Sequence, residues 1–350
     1  MNRRISELLA LAAFSCALAS TVAAAKELDQ FTDRLLVLQY YAGGYRAVDR
    51  APGPTKVDAV LDARMNELLD ELARALDDER PDTLDERDLL VRKAFQHRYL
   101  PELITPYEEW VKHEAPVPLY KVRDKGIFGH AVDYGDMRLT WYIELSPIVR
   151  AGGVLIGIDK LGHFLAQGFQ YYERYRELGR SVPEAPRYPI IRQYGHEQEL
   201  GQLGIATGGV YSYADLASNW SGMLFFLALF DDVDAEGERH ARFFAQSADG
   251  SYQRVRDFHW VEWISSDWDE VLNPAGIEQR ELFDKVSANL RRRPGARGAR
   301  RKSICQHYRD DPAAFLGPHR PLRPRATYAV PERGERVAPY ALDVRAICGE

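Results

Sequence analysis

Three polar motifs lie within 64 residues near the middle of the chain, each set in apolar, aromatic or glycine-rich sequence. They are Asp159-Lys160-Leu161-Gly162-His163-Phe164, then Glu199-Leu200-Gly201-Gln202, then Asp215-Leu216-Ala217-Ser218-Asn219-Trp220-Ser221-Gly222. Within each, polar side chains recur three or four positions apart, the spacing of one helix face. A charge in such surroundings is costly unless it is partnered. Three helices could therefore point a carboxylate, an imidazole, a second carboxylate and a carboxylate–carboxamide pair at one shared pocket.

The rest of the chain reads as mainly α with a minor β-hairpin. Residues 27–47, 55–78 and 85–98 carry helical patterns; in the second, Val57, Val60, Leu61, Met65, Leu68, Leu69, Leu72 and Leu76 recur at three- and four-residue spacing. Two β-branched and aromatic runs, 126–132 and 137–145, flank Tyr134-Gly135-Asp136 and predict the hairpin. Helical pattern resumes from Asp159 to about Leu178, around Glu197 and Glu199, and again after Ser212. Residues 291–302 hold seven basic residues in twelve, with Pro294 and Gly295, and predict an exposed linker.

The N-terminus predicts the compartment. Arg3 and Arg4, an apolar stretch from Leu8 to Ala19, and Ala23-Ala24-Ala25 form the pattern of a cleavable secretory signal peptide. Cleavage after Ala25 removes Cys16 and moves the net charge from −6 to −7. A mildly acidic chain gives no global argument for nucleic acid. The two remaining cysteines, Cys305 and Cys348, predict one disulfide in an oxidising periplasm. In a chain-entropy treatment it is worth roughly 3–4 kcal/mol. No later apolar run approaches the roughly 20 residues of a helical membrane span. The expected organisation is a signal peptide at 1–25 and a soluble, mainly helical domain at 26–290 with its polar core at 154–230. A basic linker at 291–303 and a disulfide-closed tail at 304–350 follow.

Chemistry is expected at the central motifs. Asp159 and His163, and Asp215 and Asn219, are pairs four residues apart, able to hold one ion between them. Imidazole and carboxylates suit zinc or manganese, so Asp159, His163, Glu199 and Asp215 are the candidate metal ligands, while the same groups could instead perform metal-free acid–base chemistry. In a metal-assisted hydrolase, Lys160 or Asn219 would polarise the substrate oxygen and Glu199 would act as base. The competing reading is local. Asp159 fits an N-cap, Ser212-Tyr213-Ala214-Asp215 fits a capping box, and His163 would donate to Glu199 in the core.

The order Asp-Lys-x-x-His-Phe, Glu-x-x-Gln, Asp-x-x-x-Asn-x-x-Gly resembles the VanZ-like family and the related YfiM-like envelope proteins. The resemblance covers residues 154–230 and takes in Asp159, Lys160, His163, Glu199, Gln202, Asp215, Asn219 and Gly222. It implies a helical polar site in a cell-envelope protein. The family is membrane-embedded and this chain has no comparable span, so a role within the bilayer does not carry over.

The remaining signals are secondary. Asp232-Val233-Asp234-Ala235-Glu236-Gly237 starts like a calcium loop, but its twelfth position is Phe243, so a solvated acidic loop is expected. Trp260, Trp263 and Trp268, beside the acidic run Asp267 to Glu270, read as core or as an aromatic wall for a sugar or lipid headgroup. Nucleophile-elbow, Walker and dinucleotide motifs are missing. Two functions remain: a hydrolase of an envelope substrate, and a non-catalytic envelope protein whose motifs form a buried polar network. Expected partners are a lipid headgroup or peptidoglycan, with the basic stretch adding weak attraction to anionic surfaces.

Overall fold

The computed structural model describes residues 54–96, 105–119, 147–201, 203–205, 209–291, 302–313, 322–330 and 338–349. The expected signal peptide, the helix at 27–47, the hairpin at 126–145, Gln202 and most of the basic stretch lie outside them.

The first helix, α1 (Pro54–Glu79), buries Val57, Leu61, Met65, Leu68, Leu69, Leu72 and Leu76, the stripe its spacing predicts. Helix α2 (Leu84–Phe95) starts on a capping box in which Thr83 and Glu86 each bind the other's backbone N–H. Thr105 caps α3 (Pro106–His113), with Pro106 pre-set for the first turn. Strands β1 (Ile148–Ala151) and β2 (Val154–Gly157) pair antiparallel around Gly152 and Gly153, both at positive φ. Ile158 then leads directly into α4 (Asp159–Leu178), so a rigid hairpin fixes where Asp159 starts.

Helix α4 packs along α6 (Tyr213–Ala228), and α5 (Arg187–Leu200) lies against both. Two glycines set the distance between α4 and α6. A methyl on Gly168 would stand 2.6 Å from the Cα of Gly222, and one on Gly222 would strike the carbonyl of Phe164. The contact therefore tolerates no side chain at either position. Phe164 and Phe225 bring this pair into an aromatic cluster with Phe258, Trp260 and Trp263, ring centroids 4.9–6.3 Å apart. Trp260, Trp263 and Trp268 are at most 3% exposed, so they are core and not a ligand wall. Each such side chain contributes roughly 1.5–3 kcal/mol by leaving water.

Two hairpins follow, β4 (Val233–Ala235) with β5 (Glu238–His240), and β6 (Phe244–Gln246) with β7 (Tyr252–Arg254). The calcium-loop-like segment is the first of these: Glu236 and Gly237 turn at positive φ, and Asp232 pairs with Arg242.

A second core joins distant parts of the chain. Strand β3 (Val210–Tyr211) pairs with β8 (Gly276–Ile277), which pairs with β9 (Tyr340–Ala341). Against this sheet pack α7 (Arg280–Arg291), α8 (Ile304–Asp310) and α9 (Val344–Cys348). The expected disulfide, Cys305–Cys348, is present and ties α8 to α9, with both cysteines at most 1% exposed. The described chain is thus mainly helical with small antiparallel strand pairs. No helix among the described residues is long and apolar enough to cross a membrane.

Candidate metal centre

Two local explanations for the aspartates fail. The residue in the N-cap position of α4 is Ile158, and Asp159 makes no capping hydrogen bond. At α6 the Ser212 hydroxyl accepts from the backbone N–H of Asp215, at 3.2 Å, which is half of a capping box. The other half is supplied by Glu199, whose Oε2 accepts from the backbone N–H of Ser212 at 3.2 Å. Glu199 takes the role that Asp215 would have had in a local cap, and the Asp215 carboxylate is released toward α4.

Asp159, His163 and Asp215 converge there. Each offers one ligand atom, and these atoms lie within 4.8 Å of one another. Asp159 is 2% exposed, His163 8% and Asp215 0%. Neither carboxylate oxygen of Asp159 accepts a hydrogen bond among the described residues. Burial pushes its carboxyl up to about 6, against the pull of Lys160 and His163, and Glu270 and Glu108 push it the same way.

Asn219 orients the imidazole. Its Oδ1 lies 3.1 Å from His163 Nδ1 and its Nδ2 donates to the Tyr171 hydroxyl at 3.4 Å. With a carbonyl oxygen opposite Nδ1, the network assigns the ring proton to that nitrogen. Nε2 then faces Asp215, whose Oδ2 is 3.5 Å away, so this nitrogen can carry a proton toward the carboxylate or give its lone pair to an ion between them. A ring held through one nitrogen with the other presented is the usual arrangement of a metal-ligating histidine.

Lys160 is fully buried beside this trio. Its ammonium pairs with Asp215, lies 2.9 Å from Glu270 Oε1 and 3.5 Å from Ser212 Oγ, and is 4.0 Å from Asp159 Oδ2. Ser212 Oγ also donates to Glu270 Oε1 at 3.1 Å. An N/O donor set with a second ring of hydrogen bonds fits a divalent transition ion. A tetrahedral ion with bonds of about 2.0–2.1 Å would hold its ligand atoms about 3.4 Å apart, so binding would draw the trio inward.

Of the sequence candidates, Asp159, Lys160, His163, Asp215 and Asn219 meet here. Glu199 stands at the N-terminus of α6, outside the group of ligand atoms, and His163 Nδ1 contacts Asn219. Sequence reasoning missed the placement of Glu270, Ser212, Tyr171 and Glu108. Glu108, 1% exposed, lays its carboxylate over Gly162 of α4, where a Cβ would collide with it. The signal for Glu270 was its place in an acidic run among tryptophans. Thr105-Pro106-Tyr107-Glu108 carries no such signal, because it reads as an ordinary helix cap.

Comparison of the chain with protein-family models, curated proteins and solved structures finds no match. The geometry is therefore the main guide to function. Two surface grooves, of about 730 and 580 Å³, are lined by α2, the ends of α4 and α5, and the outer face of α1. Neither is lined by any residue of the trio. The centre itself is buried, and His163 is the most exposed of the three candidate ligands.

Proposed function

We propose that this is an exported cell-envelope protein whose centre holds one divalent transition metal, zinc or manganese, on Asp159, His163 and Asp215. The observation that carries the reading is Asp159: a carboxylate 2% exposed, not used as a cap, and accepting no hydrogen bond among the described residues. Such a group, with the Lys160 ammonium no nearer than 4.0 Å, is strongly disfavoured unless a proton or a second cation meets it. The motif resemblance to VanZ-like proteins supports the envelope, and the Cys305–Cys348 disulfide supports an oxidising compartment.

A metal there would act as a Lewis acid for hydrolysis of an envelope substrate. In that reading Asn219 fixes the imidazole and Lys160 supplies positive charge beside the reacting group. Glu199 acts by holding the start of α6. One observation favours a second reading, a structural polar network: every member of the cluster is at most 8% exposed. A metal that only braces the two helices would satisfy that burial equally well.

Elemental analysis of the purified mature protein is the test. The metal reading expects about one equivalent of zinc or manganese, falling below about a tenth in Asp159→Asn/His163→Ala with the fold retained. Less than about a tenth of an equivalent in folded wild-type protein after metal loading would leave the polar network as the function of the motifs.

A further inference from the structure

Lys160 stands directly beside the ground that an incoming cation would take. Its ammonium is within 4.0 Å of carboxylates from three segments: Asp159 at the start of α4, Asp215 in the first turn of α6, and Glu270 in the loop before β8. Only two of these belong to the ligand group; Glu270 does not. The lysine therefore has two carboxylate neighbours inside the centre, of which Asp215 is much the nearer, and one beside it.

The outer partner is independently fixed. Asp269 accepts from the backbone N–H of Val271, and its carbonyl accepts from Leu272 and Asn273, which makes the segment carrying Glu270 a closed turn. Glu270 Oε1 already accepts from both Ser212 Oγ and Lys160 Nζ. An ammonium leaving Asp215 would keep two acceptors without moving its helix.

The inner partner is divided. Asp215 gives Oδ1 to Lys160 and turns Oδ2 toward His163 Nε2. A divalent ion bound by Oδ2, His163 and Asp159 would sit a few ångströms from the ammonium and repel it, most strongly in a low-dielectric interior.

We propose that Lys160 is a tethered counter-cation of the centre. Without metal it neutralises Asp215; on metal entry it withdraws onto Glu270 and Ser212. This rests on the reading of Asp159, His163 and Asp215 as a metal site. Lys160 then sets affinity by competition, and Glu270 sets it by giving the competitor somewhere to go. The two residues should act with opposite sign, which loss of packing would not produce. Removing the lysine should tighten metal binding, and removing the charge of Glu270 should weaken it.

The experiment is equilibrium dialysis of the full-length mature chain against Zn²⁺ and, separately, Mn²⁺. The proteins are wild type, Lys160→Met, Glu270→Gln and Asp159→Asn/His163→Ala, with near-UV circular dichroism to check folding. Expected are binding by wild type and none by the double variant. Binding should be at least about tenfold tighter in Lys160→Met and at least about tenfold weaker in Glu270→Gln. Should Lys160→Met fail to fold, Lys160→Gln keeps a polar head in the same space and the same direction is expected.

Wild-type binding with both variants unchanged, or shifted the same way, would overturn the counter-cation proposal and leave the metal site standing. Failure of both wild type and folded Lys160→Met to bind either ion would overturn the metal reading itself. Binding by Lys160→Met alone would mean that the lysine does not withdraw and keeps the ion out of the native centre, which would overturn both the counter-cation proposal and the metal reading.

Discussion

Asn219 is the residue whose small chemistry decides most about the centre. It makes no charge of its own, yet it touches both His163 and Tyr171 and so determines which imidazole nitrogen faces Asp215. Asn219→Leu should keep the helix and lose that orientation and, in the proposed metal reading, weaken zinc binding by about 10–100-fold. Asn219→Asp keeps an acceptor opposite Nδ1 and makes the imidazole more basic, so it should bind at least as tightly as wild type. Competition against a chromophoric chelator measures both, and an Asn219→Leu protein that binds like wild type would remove the orienting role. The sequence made Asp159, His163, Asp215 and Asn219 legible because charge at helical spacing in apolar surroundings has few cheap explanations. It left the role of Glu199 ambiguous because a carboxylate that completes a cap from another helix is written no differently from a ligand. The distinction lies in a contact between residues 199 and 212, which no local pattern records.

Among the elements, the α4–α6 contact carries the site, because it sets the separation between Asp159 and His163 on one helix and Asp215 and Asn219 on the other. Gly222→Ala would drive a methyl into the Phe164 carbonyl, and Gly168→Ala would drive one against Gly222. Alanine normally stabilises a helix interior by about 1 kcal/mol relative to glycine. Here overpacking should reverse the sign and cost about 1–3 kcal/mol net, with metal affinity falling as the helices part. Urea unfolding checks the first effect; a gain in stability from either substitution would show that the helices do not touch as described. These helices were readable from their periods. The β1–β2 hairpin was not, and its packing explains why. Val149, Ala151, Val154 and Ile156 face the main core while Ile148 and Leu155 face the second, so both surfaces are apolar and the alternation that marks a strand is erased.

At the scale of the whole molecule, the segment 322–330 ties together α6, the β4–β5 hairpin and the loop 265–274. Arg323 reaches Asp267, Glu238, Ser221 and Ser265, while Arg325 lies over the Tyr213 ring and donates to Asn273. Tyr328, 1% exposed, joins the main core. This C-terminal segment thereby braces the loop that carries Glu270 and the start of α6 at the same time. Its long-range partners lie 51 to more than 100 residues away in sequence, so nothing near Arg323 announces the role. Burial alone would raise the Glu238 carboxyl, but hydrogen bonds and charge from His240 and Arg323 outweigh it and hold it below its ordinary value of about 4.5. The unfolded chain therefore binds a proton here at a higher pH than the folded one. The stabilisation is complete above about pH 4.5 and is lost as pH falls below it toward the folded value. Glu238→Gln removes that titration while preserving an acceptor for Arg323. Its unfolding free energy should be lower than that of wild type at neutral pH, and the two should converge on acidification through this window. Urea unfolding from pH 6 to pH 3 is the measurement. Parallel curves, with a constant gap at every pH, would mean that Glu238 contributes by shape alone and that the Arg323 brace does not depend on its charge.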